Sequence, residues 1–335
     1  MDPGTPHQST YLNPCWTALS ALTIVTQIVT AGVMPAVAQE PHDSGDPGRA
    51  TEAPPLVYVS DYFSFVGGDD KGLVAFALDT NRGRDGDEYQ AEHFVVLHDE
   101  QAGWTEVAGN GDYENQEGKL LAIPNSSFFQ YQGSPATGMK ILSPENKLTL
   151  RVEPIVERHS NMQGESKFII GSAPAVMEWA GRTLKGRIIY EYLYMPDFNR
   201  LSRTYFGLWK EFQGFYVSVE GKGDLYVHNQ RSKKLTPLIG GLVGFTVLDG
   251  QADKMDDLAI TVLKRALALG FYRWPKEWEL KWVGTHGTAS VKFKLSDRKV
   301  LKNWVIGGFA MGVIRGEIAY NGRTWPFYGL AELLM

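Results

Sequence analysis

An all-β chain, built as antiparallel barrels or sandwiches in two domains with one accompanying helix, is the fold class this sequence predicts. Three observations predict it. From Leu56 onward apolar and polar residues alternate with period two, broken at short, even intervals by Gly, Asn and Asp. Lys222-Gly223 and Asn321-Gly322 sit between such runs as hairpin tips, and the second is the Asn-Gly pair suited to a type I′ turn. A Gly-rich turn joining a strand to a helix, which dinucleotide-binding α/β folds need, is missing.

Residues 1–38 read as a signal peptide. An apolar segment runs from Trp16 to Pro35, and Ala36-Val37-Ala38 has the small-x-small form of a signal-peptidase site, which places cleavage after Ala38. Gln27 and several threonines interrupt the segment, so no permanent membrane span is expected in the mature chain. No Lys or Arg precedes it, which leaves an uncleaved anchor as the alternative. Residues 39–55 are rich in Pro, Gly and charge and read as a disordered leader. The single cysteine, Cys15, precedes the apolar segment, so the mature chain is expected to be exported, periplasmic or secreted, with no disulfide and no thiol chemistry.

A first β domain is expected over 56–180, with strands such as Val57–Val66, Gly72–Asp79, Tyr89–His98 and Leu148–Val156. A turn or two of helix is expected at Pro174–Ala180. Aromatic residues become denser near residue 181, which sets the start of a second β domain over 181–335. Its strands include Leu184–Tyr194, Gly214–Glu220, Asp224–His228, Leu242–Leu248, Val313–Tyr320 and Arg323–Leu334. The one long helix is placed at 253–269, where Met255, Leu258, Ala259, Val262, Leu263, Ala266 and Leu267 form a stripe at helical spacing. Asp253 can cap it, Asp256 and Asp257 suit the positive end of its dipole, and Gly270 can end it.

Composition excludes several functions. A formal charge of −5 argues against a nucleic-acid binder. The run Gly67 to Gly72 lacks the Lys-Ser/Thr ending of a P-loop, and no GxSxG elbow exists. The histidines are scattered without metal-ligand spacing, so neither a metal nor a cofactor is expected. What remains is a set of carboxylates in aromatic strands. In GRIIYEYLYMPDF, Glu191 shares a strand face with Ile189 and Leu193, and Tyr190, Tyr192 and Tyr194 share the other. If Ile189 and Leu193 face the core, Glu191 goes in with them, and its raised pKa makes it an acid near neutrality; the alternatives are an ion pair with an arginine such as Arg187 or Arg203, or an inward tyrosine face. In EYQAEHFVVLHD, His93 goes with Ala91, Val95 and Leu97, and Glu92 with Phe94 and Val96, so both faces can be buried. Trp209, Phe212, Phe215 and Tyr216 surround Lys210 and Glu211, the composition either of a pocket lining or of a barrel filling. Trp278 and Trp282 share a face, expected at a rim or domain interface.

The order SDYFSFVGGDD, GLVAFALD, EYQAEHFVVLHDE, GW and LAIPNSSF, with a second half ending WPFYGLAEL, resembles the lipocalin-like family of the carotenoid hydratases and AttH proteins over residues 57–335. The resemblance implies two lipocalin-like (calycin-type) antiparallel β-barrels packed together, with a helix accompanying the second. It also implies a hydrophobic small-molecule partner, terpenoid- or polyketide-like, in an apolar pocket. Some members add water across an isolated double bond, and cousins cyclise such substrates without a cofactor. That chemistry needs a dry cavity, an acid and aromatic faces for the cation. Asp61, Glu92 and Glu191 are the implied acids; Tyr62, Phe63, His93, Tyr192, Trp209 and Phe212 are the implied ligand-binding residues. The Trp-Trp-Tyr run usual in the first strand is here Asp61-Tyr62-Phe63. Two other expectations stand beside the hydratase, isomerase or cyclase reading. One is a secreted carbohydrate-active β-protein with paired carboxylates and tryptophan platforms, and the other is a non-catalytic lipophilic carrier.

Overall fold

In the computed structural model, residues 57–114, 120–196, 212–219, 221–230, 238, 241–267, 273–304 and 307–334 are described. All of them fall in one compact unit, Glu52–Met335. The expected signal peptide, the leader and Trp209 lie outside the described residues. Every element in the order is a β-strand. The first eleven are β1 (Val57–Asp69), β2 (Gly72–Asp85), β3 (Glu88–Asp99), β4 (Gly103–Thr105), β5 (Gly111–Asp112), β6 (Gln130–Ser134), β7 (Gly138–Ser143), β8 (Leu148–Val152), β9 (Val156–Gln163), β10 (Ser166–Trp179) and β11 (Arg182–Met195). The remaining nine are β12 (Phe212–Val219), β13 (Gly223–Gln230), β14 (Leu242–Leu248), β15 (Gln251–Lys254), β16 (Asp256–Leu267), β17 (Arg273–Gly284), β18 (Gly287–Trp304), β19 (Gly307–Tyr320) and β20 (Arg323–Leu334).

The strands form two antiparallel sheets with one plan. The first runs β4-β3-β2-β1-β11-β10-β8-β7-β6, with β5 added on β3 and β9 on β10. The second runs β15-β14-β13-β12-β20-β19-β18-β17-β16. In each, the first strand of the half lies in the middle and pairs with the last (β1 with β11, β12 with β20). Strand β11 lies beyond the expected boundary at residue 180 and pairs with β1 and β10 of the first sheet.

Alternation along these strands makes three cores. Phe63, Phe65, Phe76, Leu78, Val95 and Ile188 pack inside the first sheet. Phe215, Trp278, Leu280, Phe293, Ile314 and Phe327 pack inside the second. Between the sheets lies a third cluster: Tyr58, Tyr62, Ile189, Leu193, Tyr216, Tyr226, Phe245, Tyr328 and Leu330. A fully buried Phe or Leu contributes about 1.5–3 kcal/mol, so the third cluster holds the sheets together with the same forces that hold each core. Where β1 and β11 cross most closely, Gly67 and Gly186 sit opposite each other, and a Cβ on Gly186 would lie 2.1 Å from Val66 O.

The helix expected at 253–269 is not formed over its described residues: 253–254 belong to β15, Met255 links the strands, and 256–267 are β16, while residues 268 and 269 lie outside the described residues. Ile260, Thr261 and Val262 explain the difference, since β-branched side chains prefer a pleated strand. The sequence carries two periods there, and the period-two set Leu258, Ile260 and Val262 is the one that packs on the second core. Pro174–Ala180 is likewise strand, not helix. Pro174 falls where the partner of β10 changes from β9 to β8, so its missing N–H breaks no ladder. The Asn321-Gly322 tip has positive φ at both residues (50° and 75°), as a type I′ turn requires.

β15 and β16 occupy opposite edges of the second sheet yet are joined by Met255 alone, so the sheet must roll until its edges meet. Met255 N donates to Gly244 O of β14 at 3.1 Å. Asp253, 3% exposed, pins the seam to the β17–β18 turn. It accepts from Thr285 N (2.7 Å), His286 N (3.1 Å) and Tyr320 OH (3.1 Å). Asp253→Ala is expected to lower stability by about 1–3 kcal/mol by orphaning these donors. Equilibrium urea unfolding measures it, and an unchanged midpoint would show that the seam holds without this carboxylate.

Candidate functional site

The wall formed by β1 and the 188–195 stretch of β11 is largely buried on both faces, and its register sorts the expected site residues. Asp61 lies opposite Tyr192, and Tyr62 opposite Glu191. Successive residues of a strand point to opposite sides. Asp61, Phe63, Tyr190 and Tyr192 therefore face the interior of the first sheet; Tyr62 and Glu191 face the second sheet.

Inside the first sheet, Asp61 Oδ2 lies 2.7 Å from Arg82 Nη2, with side chains 3% and 0% exposed. Tyr190 OH donates to Asp61 Oδ1 at 2.5 Å. Burial pushes the Asp61 carboxyl above the usual range, and Arg82 and Tyr190 oppose it. Arg82 also donates to the carbonyls of Leu120, Leu121 and Thr80, tying the 120–121 segment over the interior. His93, on the same interior, stacks on Tyr113 with centroids 3.9 Å apart and meets the edge of Phe129. Neither ring nitrogen has a hydrogen-bond partner among the described residues. Burial lowers the His93 pKa to about 3, which keeps the ring neutral. Tyr192 is half-buried beside this core and Phe63 packs against Tyr190 at 5.1 Å.

Between the sheets, cross-strand register lines up Phe94, Asp79, Tyr62, Glu191 and Ile170 in one row. The second sheet opposes it with two rows: Val313, Leu330, Tyr216, Tyr226 and Phe245, then Met311, Glu332, Gly214, His228 and Val243. Tyr62 and Tyr216 meet ring to ring at 4.8 Å. Tyr216 and Tyr226 make an edge contact at 5.6 Å, and Tyr226 stacks on Phe245 at 5.5 Å. Tyr216 OH lies 3.4 Å from Glu332 Oε2. Phe212 packs its ring on His228 at 4.7 Å.

Glu191 is the distinctive group of this interface. Its Oε1 is sealed from solvent and has no hydrogen-bond partner among the described residues. Glu191 and Glu332 nevertheless keep part of their surface open, as do Phe94 and Phe309, which face each other at 5.3 Å. Burial raises the Glu191 pKa to about 7, against the hydroxyls of Tyr226 and Tyr216 and with the charge of Asp79. Arg187, one expected partner, instead pairs with the buried Asp224. The other, Arg203, lies outside the described residues.

The expected site residues thus divide into two groups separated by one wall. Asp61, Phe63, His93 and Tyr192 go with the first interior; Tyr62, Glu191 and Phe212 go with the interface. Glu92 lies half-buried on β3, on the same face as Phe94 and opposite Asn81 and Asp112, in the row next to that of Glu191. Trp278 and Trp282 are 0% and 2% exposed inside the second core, not at a rim, and Trp278 Nε1 donates to Gln213 Oε1 at 3.1 Å. Of the groups that complete the interface, Tyr216 was read only as part of the aromatic run around Lys210 and Glu211, and Tyr226, His228 and Glu332 were not among the expected site residues. The signal for two of them was alternation in DLYVHNQ, which puts Tyr226 and His228 on one face.

No family model matches the sequence, and no curated protein matches it. The fold does have solved counterparts. A protein provisionally assigned as AttH, from Nitrosomonas europaea, superposes with a TM-score of 0.52 at 10% identity, covering 86% of this chain and 98% of its own. Kievitone hydratase from Nectria haematococca gives 0.47 at 9% identity, over 84% of this chain and 88% of its own. CghA gives 0.48 at 9%, over the same shares. The likeness to the AttH protein is one of fold. It covers 86% of this chain.

Two outcomes follow from the charges. A carboxyl whose folded pKa is raised from 4.5 to about 7 adds stability below pH 4.5 and loses it as pH rises to 7. The stability of wild type relative to Glu191→Gln should fall by about 3 kcal/mol across that window. Taking the difference removes the opposite trend of the buried histidines, and a flat difference curve would contradict the buried acid. In the first interior, Asp61→Ala should cost about 3–5 kcal/mol by stranding the Arg82 charge. Asp61→Leu with Arg82→Met should cost less than that single change, as measured by urea unfolding.

Proposed function

We propose that this chain is an exported protein that binds a hydrophobic, terpenoid- or polyketide-like small molecule between its two sheets. On this reading it acts on the molecule without a cofactor, as a hydratase, isomerase or cyclase, with Glu191 as the proton donor. The observation that carries the reading is one carboxyl whose pKa burial raises to about 7, on the wall between the sheets where the rings of Tyr62, Tyr216 and Tyr226 pack. A carboxylic acid that stays protonated near neutrality can protonate an alkene, and the tyrosine faces stabilise the resulting cation through their quadrupoles. In a hydration, the proton leaves Glu191 for one alkene carbon and water bonds to the other. The excess proton of that water then returns to the carboxylate, so the acid is regenerated. Loss of a neighbouring C–H proton in place of water capture gives isomerisation. Export is supported by the apolar segment and Ala36-Val37-Ala38.

The carrier reading differs only in chemistry, and the same experiment separates the two. Secreted protein is incubated with an apolar extract in deuterated water, and products are analysed by mass. One deuterium on carbon per turnover is expected from wild type, with a loss of at least about 10²-fold in Glu191→Gln. Quenching of intrinsic fluorescence by a polyene fatty acid should persist in that variant. Binding without any product in wild type supports the carrier; turnover surviving Glu191→Gln removes Glu191 as the acid. The carbohydrate reading has less support, because Trp274, Trp278 and Trp282 are packed inside the second core and present no platform.

A further inference from the structure

The first interior lies on the side of the β1–β11 wall away from Glu191, and the proposed reaction uses none of its polar groups. Cross-strand register sets His93, Thr80, Asp61 and Tyr192 there in one row. His93 is 1% exposed, and neither of its ring nitrogens has a hydrogen-bond partner among the described residues. Tyr113, stacked on it at 3.9 Å, carries a hydroxyl that is equally sealed from solvent and equally unpartnered. The backbone holds this pair together: Gly111 of β5 pairs with His93, and Tyr113 N donates to Ala91 O at 3.0 Å. Asn110 adds two bonds to Val95, accepting from its N–H (2.7 Å) and donating to its carbonyl (2.8 Å).

Other polar groups of this interior are matched to one another. Asp61 lies against Arg82 and accepts from Tyr190 OH, and Thr80 and Tyr131 share a hydrogen bond at 2.7 Å. A buried polar atom without a partner is costly, and a leucine and a phenylalanine would fill the space of His93 and Tyr113 without that cost. Packing alone does not account for the pair. Its atoms define what would match them. Burial keeps the imidazole neutral, so one ring nitrogen donates and the other accepts. The Tyr113 hydroxyl can do either. A hydroxyl partner serves both roles, a carbonyl only accepts, and a hydrocarbon does neither. An ionic partner finds no free countercharge, because Asp61 and Arg82 already face each other. Tyr113 and Tyr131 keep part of their surface exposed, so this end of the interior lies close to solvent. We propose that the first interior holds a second binding site, separate from the one between the sheets, for a small neutral alcohol or phenol whose hydroxyl bonds to His93 and Tyr113.

The test uses the full chain labelled with ¹⁵N-histidine, in which the His93 ring nitrogens are the pair lost in His93→Phe. The probes share one skeleton: 4-methylphenol, p-xylene and 4-methylbenzoate. 4-Methylphenol is expected to shift both nitrogens saturably, whereas p-xylene and 4-methylbenzoate at the same concentration should leave them in place. Tyr113→Phe keeps the ring stack and removes the hydroxyl, and it should weaken 4-methylphenol binding by at least about tenfold. Glu191→Gln, on the other side of the wall, should leave the titration unchanged. Equilibrium dialysis of 4-methylphenol reads the same affinity, so Tyr113→Phe decides the matter if His93→Phe does not fold. A His93 pair that 4-methylphenol does not shift would overturn the proposal, and a persistent cross-peak from its N–H to a bound water would identify buried water as the occupant. Equal shifts from p-xylene or 4-methylbenzoate, or an affinity untouched by Tyr113→Phe, would overturn it as well.

Discussion

The antiparallel pairing of β1 with β11 is the constraint on which the rest of the structure depends. Along Val57–Val66 and from Ile188 to Met195 one side of these strands packs into the core of the first sheet and the other against the second sheet. A polar residue in that stretch is committed to one side or the other. Asp61 and Glu191, set one register step apart on this wall, meet opposite fates as a result. Asp61 falls beside Arg82 and becomes half of a buried ion pair. Glu191 falls among tyrosines, and desolvation acts on it with only hydroxyls to oppose it. Two carboxylates acquire different chemistry from a parity rule in the backbone.

The same rule explains what was legible in the sequence. Period-two patterning is strong in β1, β2, β11, β12 and β13, and the all-β class follows from it. The positions of Glu191 with Ile189 and Leu193, and of His93 with Ala91, Val95 and Leu97, follow from the same alternation. The segment at 253–269 was illegible because Leu258, Val262 and Ala266 satisfy a helical stripe while Leu258, Ile260 and Val262 satisfy a strand. Its partner β17 decides between them, and a pairing across the chain has no local signature. Trp278 and Trp282 fail for a related reason: the shared face was readable, but whether that face looked inward depends on how the sheet rolls.

The interface was readable only from one side. Sequence places Tyr62 and Glu191 on adjacent strands, yet nothing local says that β12, β13 and β20 lie across from them. The Tyr216, Tyr226 and Glu332 contributions come from a half of the chain with its own pattern, and they reach Glu191 only through packing of sheet on sheet.

The shared strand order of the two sheets has a consequence for how the chain is made. In each half the first strand occupies the middle of its sheet, with one long edge reserved for the last strand. That edge stays unpaired until the whole half has been synthesised, because β11 for β1 and β20 for β12 arrive at the end. Pairings this distant in sequence carry a large loop-closure entropy and form slowly. Neighbouring strands such as β1–β2–β3 and β12–β13–β14 can pair as they emerge, so in each half it is one edge of the central strand that waits for its distant partner. Whatever shields that edge in the interval guards the chain against the pairing errors an open strand edge invites.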